Sequence, residues 1–170
     1  SEYSVLGRYF HLEGLSAGFA FSGEIPEKPL YYNGDSIYSM QGYQYTGFVA
    51  FLTSDGTISW LKKIGSNYRG YGNRPKLHSP NGEEIIVYDS YQGDIHIDDT
   101  IIAGNGKIYV TKFDQEGNRL WSVNDGGIIS TRIEIYDLAT TFEENIVFIG
   151  HYCGLINLND TLLYSNDNDI

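Results

Sequence analysis

The clearest candidate metal site in the sequence is the alternating run from Asp94 to Asp98. In a β-strand, successive side chains point to opposite faces, so Asp94, His96 and Asp98 would share one face. Carboxylate and imidazole groups together can bind a divalent cation. The alternative is a solvated polar face opposite a buried face formed by Ile95 and Ile97.

Two further groupings have residue types that could do chemistry. The run Asn166-Asp167-Asn168-Asp169 is rich in oxygen ligands, as calcium requires, but it lacks the Gly and the spaced acidic ligand of a calcium loop, and a turn is the alternative. His151 and Cys153 lie two residues apart and could serve as a catalytic base and a nucleophile. No nucleophile elbow accompanies them, and Cys153 also fits as a small buried apolar residue. The sequence therefore predicts no enzyme and no cofactor, with calcium as the one candidate for a cofactor.

The chain is rich in tyrosine, which accounts for 15 of its 170 residues. Aromatic side chains stack on sugar rings and anchor protein interfaces, because they bury a large area with few rotatable bonds. The predicted binding residues are Tyr31, Tyr32, Tyr43, Tyr45, Tyr68 and Tyr71. The alternative is that these tyrosines simply cover sheet surface.

Charge and composition exclude several classes of partner. Eleven basic and 22 acidic residues give a net charge of −11, which repels phosphate backbones and anionic lipid surfaces. No apolar run approaches the roughly 20 residues that span a bilayer. A single cysteine, Cys153, allows neither an intrachain disulfide nor a cysteine-based zinc site. We therefore expect an acidic protein that binds no nucleic acid, does not insert into membranes and depends on its hydrophobic core.

An internal repeat decides the predicted fold. Gly56 and Gly117 lie 61 positions apart, and so do Trp60 and Trp121. A second block shows the same offset, because 83–86 (Glu-Glu-Ile-Ile) matches 144–147 (Glu-Asn-Ile-Val). Such a period indicates stacked structural units, here one repeat domain over 1–170 with units at about 7–66, 67–127 and 128–170.

Each unit has the sequence signature of short antiparallel strands. Runs of Ile, Val, Tyr and Phe are bounded by Gly, Asn and Asp, and helical periodicity is absent. A tight turn is predicted at 115–118, where Gly117 supplies a positive φ. The strands predicted in the second unit are Glu84–Ser90, Asp94–Ala103, Lys107–Asp114 and Arg119–Val123.

Four antiparallel strands per repeat, with a Trp at a fixed place, are typical of β-propeller blades. A blade cannot bury both faces alone, so we expect the Trp to fill the interface with the neighbouring blade. About three blades are present, whereas closed propellers hold roughly four to eight. The chain is therefore expected to be part of a larger propeller. The alternatives are self-association of two chains into a ring and an open stack of sheets.

The segment from Lys107 to Asp114, followed by Gly117-Asn118 and Leu120-Trp121, resembles the bacterial β-propeller repeat of the SBBP type. Such repeats occur in secreted and cell-surface proteins of the Bacteroidetes kind. The resemblance covers nearly the whole chain. It implies an extracellular or cell-surface location and an adhesive, scaffold or recognition role, with no shared catalytic residues.

The functional expectation is a non-enzymatic recognition or scaffold module whose rim loops bind a glycan or a protein. One alternative is a structural spacer in a large surface adhesin or filament, which would bind nothing specific. A more distant alternative is a propeller hydrolase or lyase whose active residues lie outside this segment.

Overall fold

The chain is all-β in the residues that a computed structural model describes, which are 10–25, 30–32, 35–38, 46–66, 74–91, 93–98, 100–103, 108–125, 132–143, 145–158 and 161–165. Its strands are β1 His11–Leu15, β2 Gly18–Ile25, β3 Leu30–Tyr32, β4 Asp35–Ile37, β5 Thr46–Thr53, β6 Ile58–Ser66, β7 Lys76–His78, β8 Ile85–Ser90, β9 Ile95–Ile97, β10 Thr100–Ala103, β11 Ile108–Phe113, β12 Arg119–Asp125, β13 Arg132–Thr140, β14 Ile146–Leu158 and β15 Thr161–Ser165. Every described strand pair is antiparallel.

The repeat of the sequence is a repeat of sheets. Sheet 1 has six strands in the order β1-β2-β5-β6-β9-β10, and sheet 2 has four strands in the order β7-β8-β11-β12. The first four strands of sheet 1 are arranged like the four strands of sheet 2. In the chain, a hairpin lies between β2 and β5 in the first unit and between β8 and β11 in the second. The first, β3–β4, forms a two-stranded sheet of its own, and the second, β9–β10, extends sheet 1 beyond β6. Sheet 3 consists of β13, β14 and β15. The predicted all-β fold with antiparallel sheets is thus confirmed, whereas sheet 1 contains two strands, β9 and β10, that come from the second unit.

The hairpin turns of sheets 1 and 2 have the same geometry. Gly56 has a φ of 83° and Gly117 a φ of 81°, which confirms the positive φ predicted for Gly117. In the first turn, the Thr53 N–H donates to the Thr57 carbonyl at 2.9 Å, and in the second the Asp114 N–H donates to the Asn118 carbonyl at 3.1 Å. The two glycines, 61 residues apart, therefore occupy equivalent positions in equivalent hairpins.

One predicted strand is wrong. The segment Asp94–Ala103 was expected to be a single strand of the second unit, but it forms the hairpin of β9 and β10, which pairs with β6 of sheet 1. The chain reverses at Asp98, whose φ is 50°. The Asp98 N–H donates to the Lys63 carbonyl at 2.8 Å, and the Asp98 carboxylate accepts the Lys63 N–H at 3.0 Å. Since these bonds hold the hairpin on sheet 1, β8 pairs directly with β11, and the short β7 supplies the fourth strand.

The hydrophobic core lies between the sheets, which stack face to face. Ile85, Val87 and Tyr109 of sheet 2 pack towards sheet 1, whereas Ile86 and Tyr88 pack towards sheet 3. Because sheet 2 is covered on both sides, β8 and β11 are continuous buried runs rather than alternating ones. Each fully buried side chain of this size contributes roughly 1.5–3 kcal/mol. The described sheets form a stack and do not close into a barrel or ring.

Candidate functional site

Trp60 forms the junction between sheets 1 and 2. Its indole N–H donates to the Gln115 carbonyl at 2.7 Å, in the turn between β11 and β12. Its ring centroid lies 5.9 Å from that of Phe113 and 6.3 Å from that of Phe51. The ring also covers Gly117 so closely that a Cβ on that glycine would lie 2.8 Å from it. The expectation that the repeated Trp fills the interface with the next sheet is confirmed for Trp60.

The turn between β11 and β12, which contacts Trp60, is also hydrogen-bonded to two other turns. The Gln115 side-chain amide donates to the Ser16 hydroxyl at 2.8 Å and to the Gly82 carbonyl at 3.2 Å. Ser16 lies in the turn after β1, and Gly82 lies in the turn before β8. These two turns are themselves joined, because the Ser16 N–H donates to the Gly82 carbonyl at 2.7 Å. At the Trp60 junction, the turn between β11 and β12 therefore contacts the turn after β1 of sheet 1 and the turn before β8 of sheet 2.

Trp121 lies at the equivalent place between sheets 2 and 3, where there is a cleft of about 710 Å³. The lining residues come from the β7–β8 turn, from β8, β11 and β12 of sheet 2, and from the β13–β14 turn with the strand ends beside it. They are Pro80, Asn81, Glu84, Ile86, Lys112, Trp121, Thr140, Thr141, Phe142 and Ile146. The Phe142 ring, which lines the cleft at its outer side, is fully exposed. Trp60 contacts the Gln115–Gly117 turn. Trp121 instead lines this cleft.

A buried ion pair forms one wall of the cleft. The Lys112 ammonium lies 2.6 Å from the Glu84 carboxylate, with the Lys112 side chain almost wholly buried. The Asn81 side-chain amide donates to the same carboxylate at 3.0 Å. The cleft therefore combines an aromatic side with a hydrogen-bonded polar side, a combination typical of binding sites.

Sequence reasoning identified Trp121 as structural but missed the cleft that it lines. The available signal was the 61-residue offset itself, because it makes Asn81 of the second unit equivalent to Phe142 of the third. Both residues lie in turns, which are followed by β8 in one unit and by β14 in the other. What the offset could not show is that the two turns flank a cleft.

The predicted metal ligands do not gather into a site. Ile95 and Ile97 are buried and His96 is half-buried, as the predicted alternation requires. The Asp98 carboxylate binds the Lys63 N–H, and its second oxygen lies 3.6 Å from the Lys62 ammonium. Within the described part of the chain, no three His, Cys, Asp or Glu side chains come close enough together to hold a metal ion. Within the 94–98 run, Asp98 instead binds the backbone of Lys63 and so holds the β9–β10 hairpin on sheet 1.

The predicted tyrosine site falls mostly outside the described residues. Tyr43, Tyr45, Tyr68 and Tyr71 lie outside them, as does the calcium candidate at 166–169. Tyr31 and Tyr32 belong to β3, which pairs with β4, and only their backbone is described. The tyrosine hypothesis therefore stays a prediction.

His151 interacts with an aromatic neighbour. Its Nδ1 lies 2.7 Å from the Tyr136 hydroxyl, and the two rings stack with centroids 5.7 Å apart. The Glu134 carboxylate lies 3.8 Å from the same nitrogen. This surface cluster on sheet 3 orients the imidazole towards β13, while Cys153 is half-buried.

A buried carboxylate that the sequence analysis did not single out lies at the end of β8. Asp89 accepts the Arg74 N–H at 2.7 Å and the Ser90 N–H at 2.8 Å. Burial raises the pKa of this carboxyl to about 7, although the two backbone N–H groups oppose the shift. The neighbouring Tyr109 is also fully buried, and burial together with Asp89 raises the pKa of its hydroxyl well above the ordinary value.

Comparison with known proteins gives no match to any family model and no match to a curated protein. The resemblance to the bacterial β-propeller repeat therefore rests on the repeat residues alone. Among the described residues there is no helix of the length and apolarity needed to cross a lipid bilayer.

Proposed function

We propose that this chain is a non-enzymatic recognition and scaffold module, a run of β-propeller blades that binds a partner through the loops at one rim of the stack. The observation that carries the proposal is the cleft at Trp121, which has aromatic and polar walls and the exposed ring of Phe142 beside it. Aromatic side chains in clefts of this kind bind sugars and anchor protein partners. The proposal places the protein outside the cell or on its surface, as the repeat resemblance implies.

The propeller part of the proposal is supported by the sheet order. Sheet 2 and the first four strands of sheet 1 are antiparallel, have the same strand order and pack face to face, with equivalent hairpin turns at Gly56 and Gly117. Propeller blades have this strand number and this packing. A ring completed by further blades, from a longer chain or from a second copy, would bury the outer faces of the stack.

A spacer function is the second candidate, and one observation favours it. Sheet 2 is buried on both faces, and its junction with sheet 1 depends on residues of the repeat itself. Units joined in this way can extend a surface protein without binding anything specific.

The two candidates are separated by a glycan array probed with the fluorescently labelled chain, with the Trp121→Ala variant as the matched control. Recognition of a sugar predicts a small set of related glycans that saturate with the wild type and are lost in the variant. Circular dichroism and the denaturation midpoint show whether the variant is folded. A chain that binds neither a glycan nor a defined polypeptide would instead be a spacer.

A further inference from the structure

A buried polar cluster lies between sheets 1 and 2, at the end of β11 opposite the turn that contacts Trp60. Its central pair is Asp89 of β8 and Tyr109 of β11, which are direct partners in the pairing of these two strands. Side chains of directly opposed residues lie on the same face of a sheet, with their Cβ atoms about 4.5–5.5 Å apart. This face points towards sheet 1, and both side chains are buried there.

The cluster continues into sheet 1 through the residues before β7. The Asp89 carboxylate accepts the Arg74 N–H, and the Arg74 Nε lies 3.6 Å from the Glu24 carboxylate of β2. The Ser22 hydroxyl, also on β2, donates to the Pro75 carbonyl. Polar contacts therefore link Asp89 of sheet 2 to β2 of sheet 1.

The Tyr109 hydroxyl is the member of this cluster whose partner is missing from the protein groups. It is fully buried, and no group in the described part of the chain hydrogen-bonds to it. Burial raises the pKa of this hydroxyl, and the nearby Asp89 charge raises it further, although the two groups make no direct hydrogen bond. Folded proteins almost always pair a buried hydroxyl with a protein group or an ordered water, because its desolvation is otherwise uncompensated.

We propose that Tyr109 and Asp89 together bind one ordered water molecule in the junction between sheets 1 and 2. The water accepts the Tyr109 O–H and donates to the Asp89 carboxylate. Each carboxylate oxygen already accepts one N–H, from Arg74 or from Ser90, and has a further lone pair for this bond. Tyr91 packs edge-on against Tyr109, with ring centroids 5.9 Å apart, and brings a second hydroxyl to the cluster. A buried water typically makes about three hydrogen bonds, which these groups can supply.

The charges around the cluster favour a neutral ligand over an ion. Arg74 and Lys76 place two positive charges near Asp89, and Glu24 adds a second carboxylate beside Arg74. The charges therefore balance without a bound cation or anion, and a further buried ion would be costly. The ligand must also both accept and donate a hydrogen bond, and water is the smallest molecule that does so. This inference goes beyond the proposed recognition function and does not depend on it.

The direct test is a high-resolution crystal structure of the wild-type chain. We expect an electron-density peak about 2.7 Å from both the Tyr109 hydroxyl and the Asp89 carboxylate. A Tyr109 hydroxyl bonded directly to a protein group, with no such peak, would overturn the inference.

Tyr109→Phe tests the same water in solution, because it removes only the hydroxyl. If the hydroxyl binds the water, the folding equilibrium constant from urea denaturation should fall about fivefold, as for the loss of one hydrogen bond. A hydroxyl without any bond predicts the opposite, since phenylalanine would then remove an uncompensated buried polar group. Unchanged or increased stability would therefore contradict the water site.

Tyr88→Phe is the matched control, because Tyr88 lies on the other face of β8 and donates its hydroxyl to the Asp137 carboxylate at 3.3 Å. Both variants should lose stability, but only one should lose a water. Oxygen-17 relaxation of the solvent counts the long-lived waters inside the protein, and this count should fall by about one in Tyr109→Phe and stay unchanged in Tyr88→Phe. Equal counts in wild type and Tyr109→Phe would mean that the hydroxyl bonds to a protein group, and the inference would be wrong.

Discussion

The indole N–H of Trp60 lies 2.7 Å from the carbonyl oxygen of Gln115, so a side chain of sheet 1 hydrogen-bonds to a turn of sheet 2. The same ring covers Gly117 and packs against Phe113. Trp60 therefore fixes how the second unit is placed against the first. The Trp of the first unit thus contacts the turn glycine of the second.

Removal of the Trp60 ring should loosen the junction between sheets 1 and 2. We expect Trp60→Ala to lower the free energy of unfolding by about 3 kcal/mol, because a large aromatic side chain is lost from a packed site. Trp60→Phe keeps an aromatic ring but loses the hydrogen bond to Gln115, so its cost should be about 1 kcal/mol. Urea denaturation followed by circular dichroism measures both.

Trp121→Ala is the matched comparison for that experiment. Trp121 lines a cleft, so we expect its truncation to remove less packing and to cost roughly half as much as Trp60→Ala. Equal costs for the two variants would contradict the difference between a filled and an open junction.

The two turn glycines provide a second test, because they share a φ near 80° but differ in their surroundings. A Cβ at Gly56 would meet open space, whereas a Cβ at Gly117 would lie 2.8 Å from the Trp60 ring. We expect Gly56→Ala to cost about 1 kcal/mol, which is the cost of the left-handed backbone. Gly117→Ala should cost about 2–4 kcal/mol, because overpacking adds to it.

The double variant Trp60→Ala/Gly117→Ala separates the two contributions. Once the ring is absent, alanine at position 117 should cost only about 1 kcal/mol more, as at position 56. A cost that is the same with and without the Trp60 ring would show that the turn backbone alone requires glycine.

The repeat, the strands β8, β11 and β12 and the Gly117 turn could be predicted from the sequence, because local chemistry specifies them. Alternating or continuous apolar runs set the strands, and glycine sets the turn. The pairing of Asp94–Ala103 could not be predicted in the same way. Its partner strand, β6, precedes it by about 30 residues in the chain, and the deciding bonds are those between Asp98 and Lys63. Strand pairing of this kind is a long-range property that a local pattern does not contain.

The candidate site was predicted only in part for a similar reason. Trp121 is recognisable from the repeat, but the cleft beside it depends on turns from two different units. Glu84 and Lys112 are ordinary charged residues in the sequence and become a buried pair only when β8 and β11 are adjacent. Residue types alone pointed to the 94–98 run as a metal site because they do not reveal that Asp98 is engaged with the backbone of β6.

Asp98 should be the residue that holds the β9–β10 hairpin on sheet 1. Asp98→Ala removes the bond to the Lys63 N–H and leaves alanine at a φ of 50°, so we expect a loss of about 1–2 kcal/mol. Hydrogen exchange should increase in β9 and β10 while β11 stays protected. Asp98→Asn keeps an acceptor and tolerates the left-handed conformation, so it should cost less than half as much. Similar costs for the two variants would mean that the carboxylate charge beside Lys62, rather than the backbone bond, anchors the hairpin.

The raised pKa of Asp89 should make the protein's stability fall with pH over a defined range. Burial lifts this pKa from an unfolded value of 3.8 to about 7, so between these two values the folded chain binds a proton that the unfolded chain has released. Stability therefore decreases as pH rises from about 4 to 7, with a slope of at most about 1.4 kcal/mol per pH unit from this group, and levels off above pH 7. Asp89→Asn is neutral throughout, so the difference in unfolding free energy between wild type and variant should change by a few kcal/mol over this range.

The sign of that difference is the decisive result. At low pH we expect wild type to be the more stable, because asparagine has one carbonyl oxygen to accept the N–H groups of Arg74 and Ser90, which now bind separate oxygens. Near pH 8 the wild type carries a buried charge and should lose this advantage. The exposed turn variant Glu116→Gln removes the same unit of charge and controls for net charge. A wild-type-minus-variant difference that is flat from pH 4 to 8, or that follows the Glu116→Gln control, would contradict a buried carboxyl that titrates near pH 7.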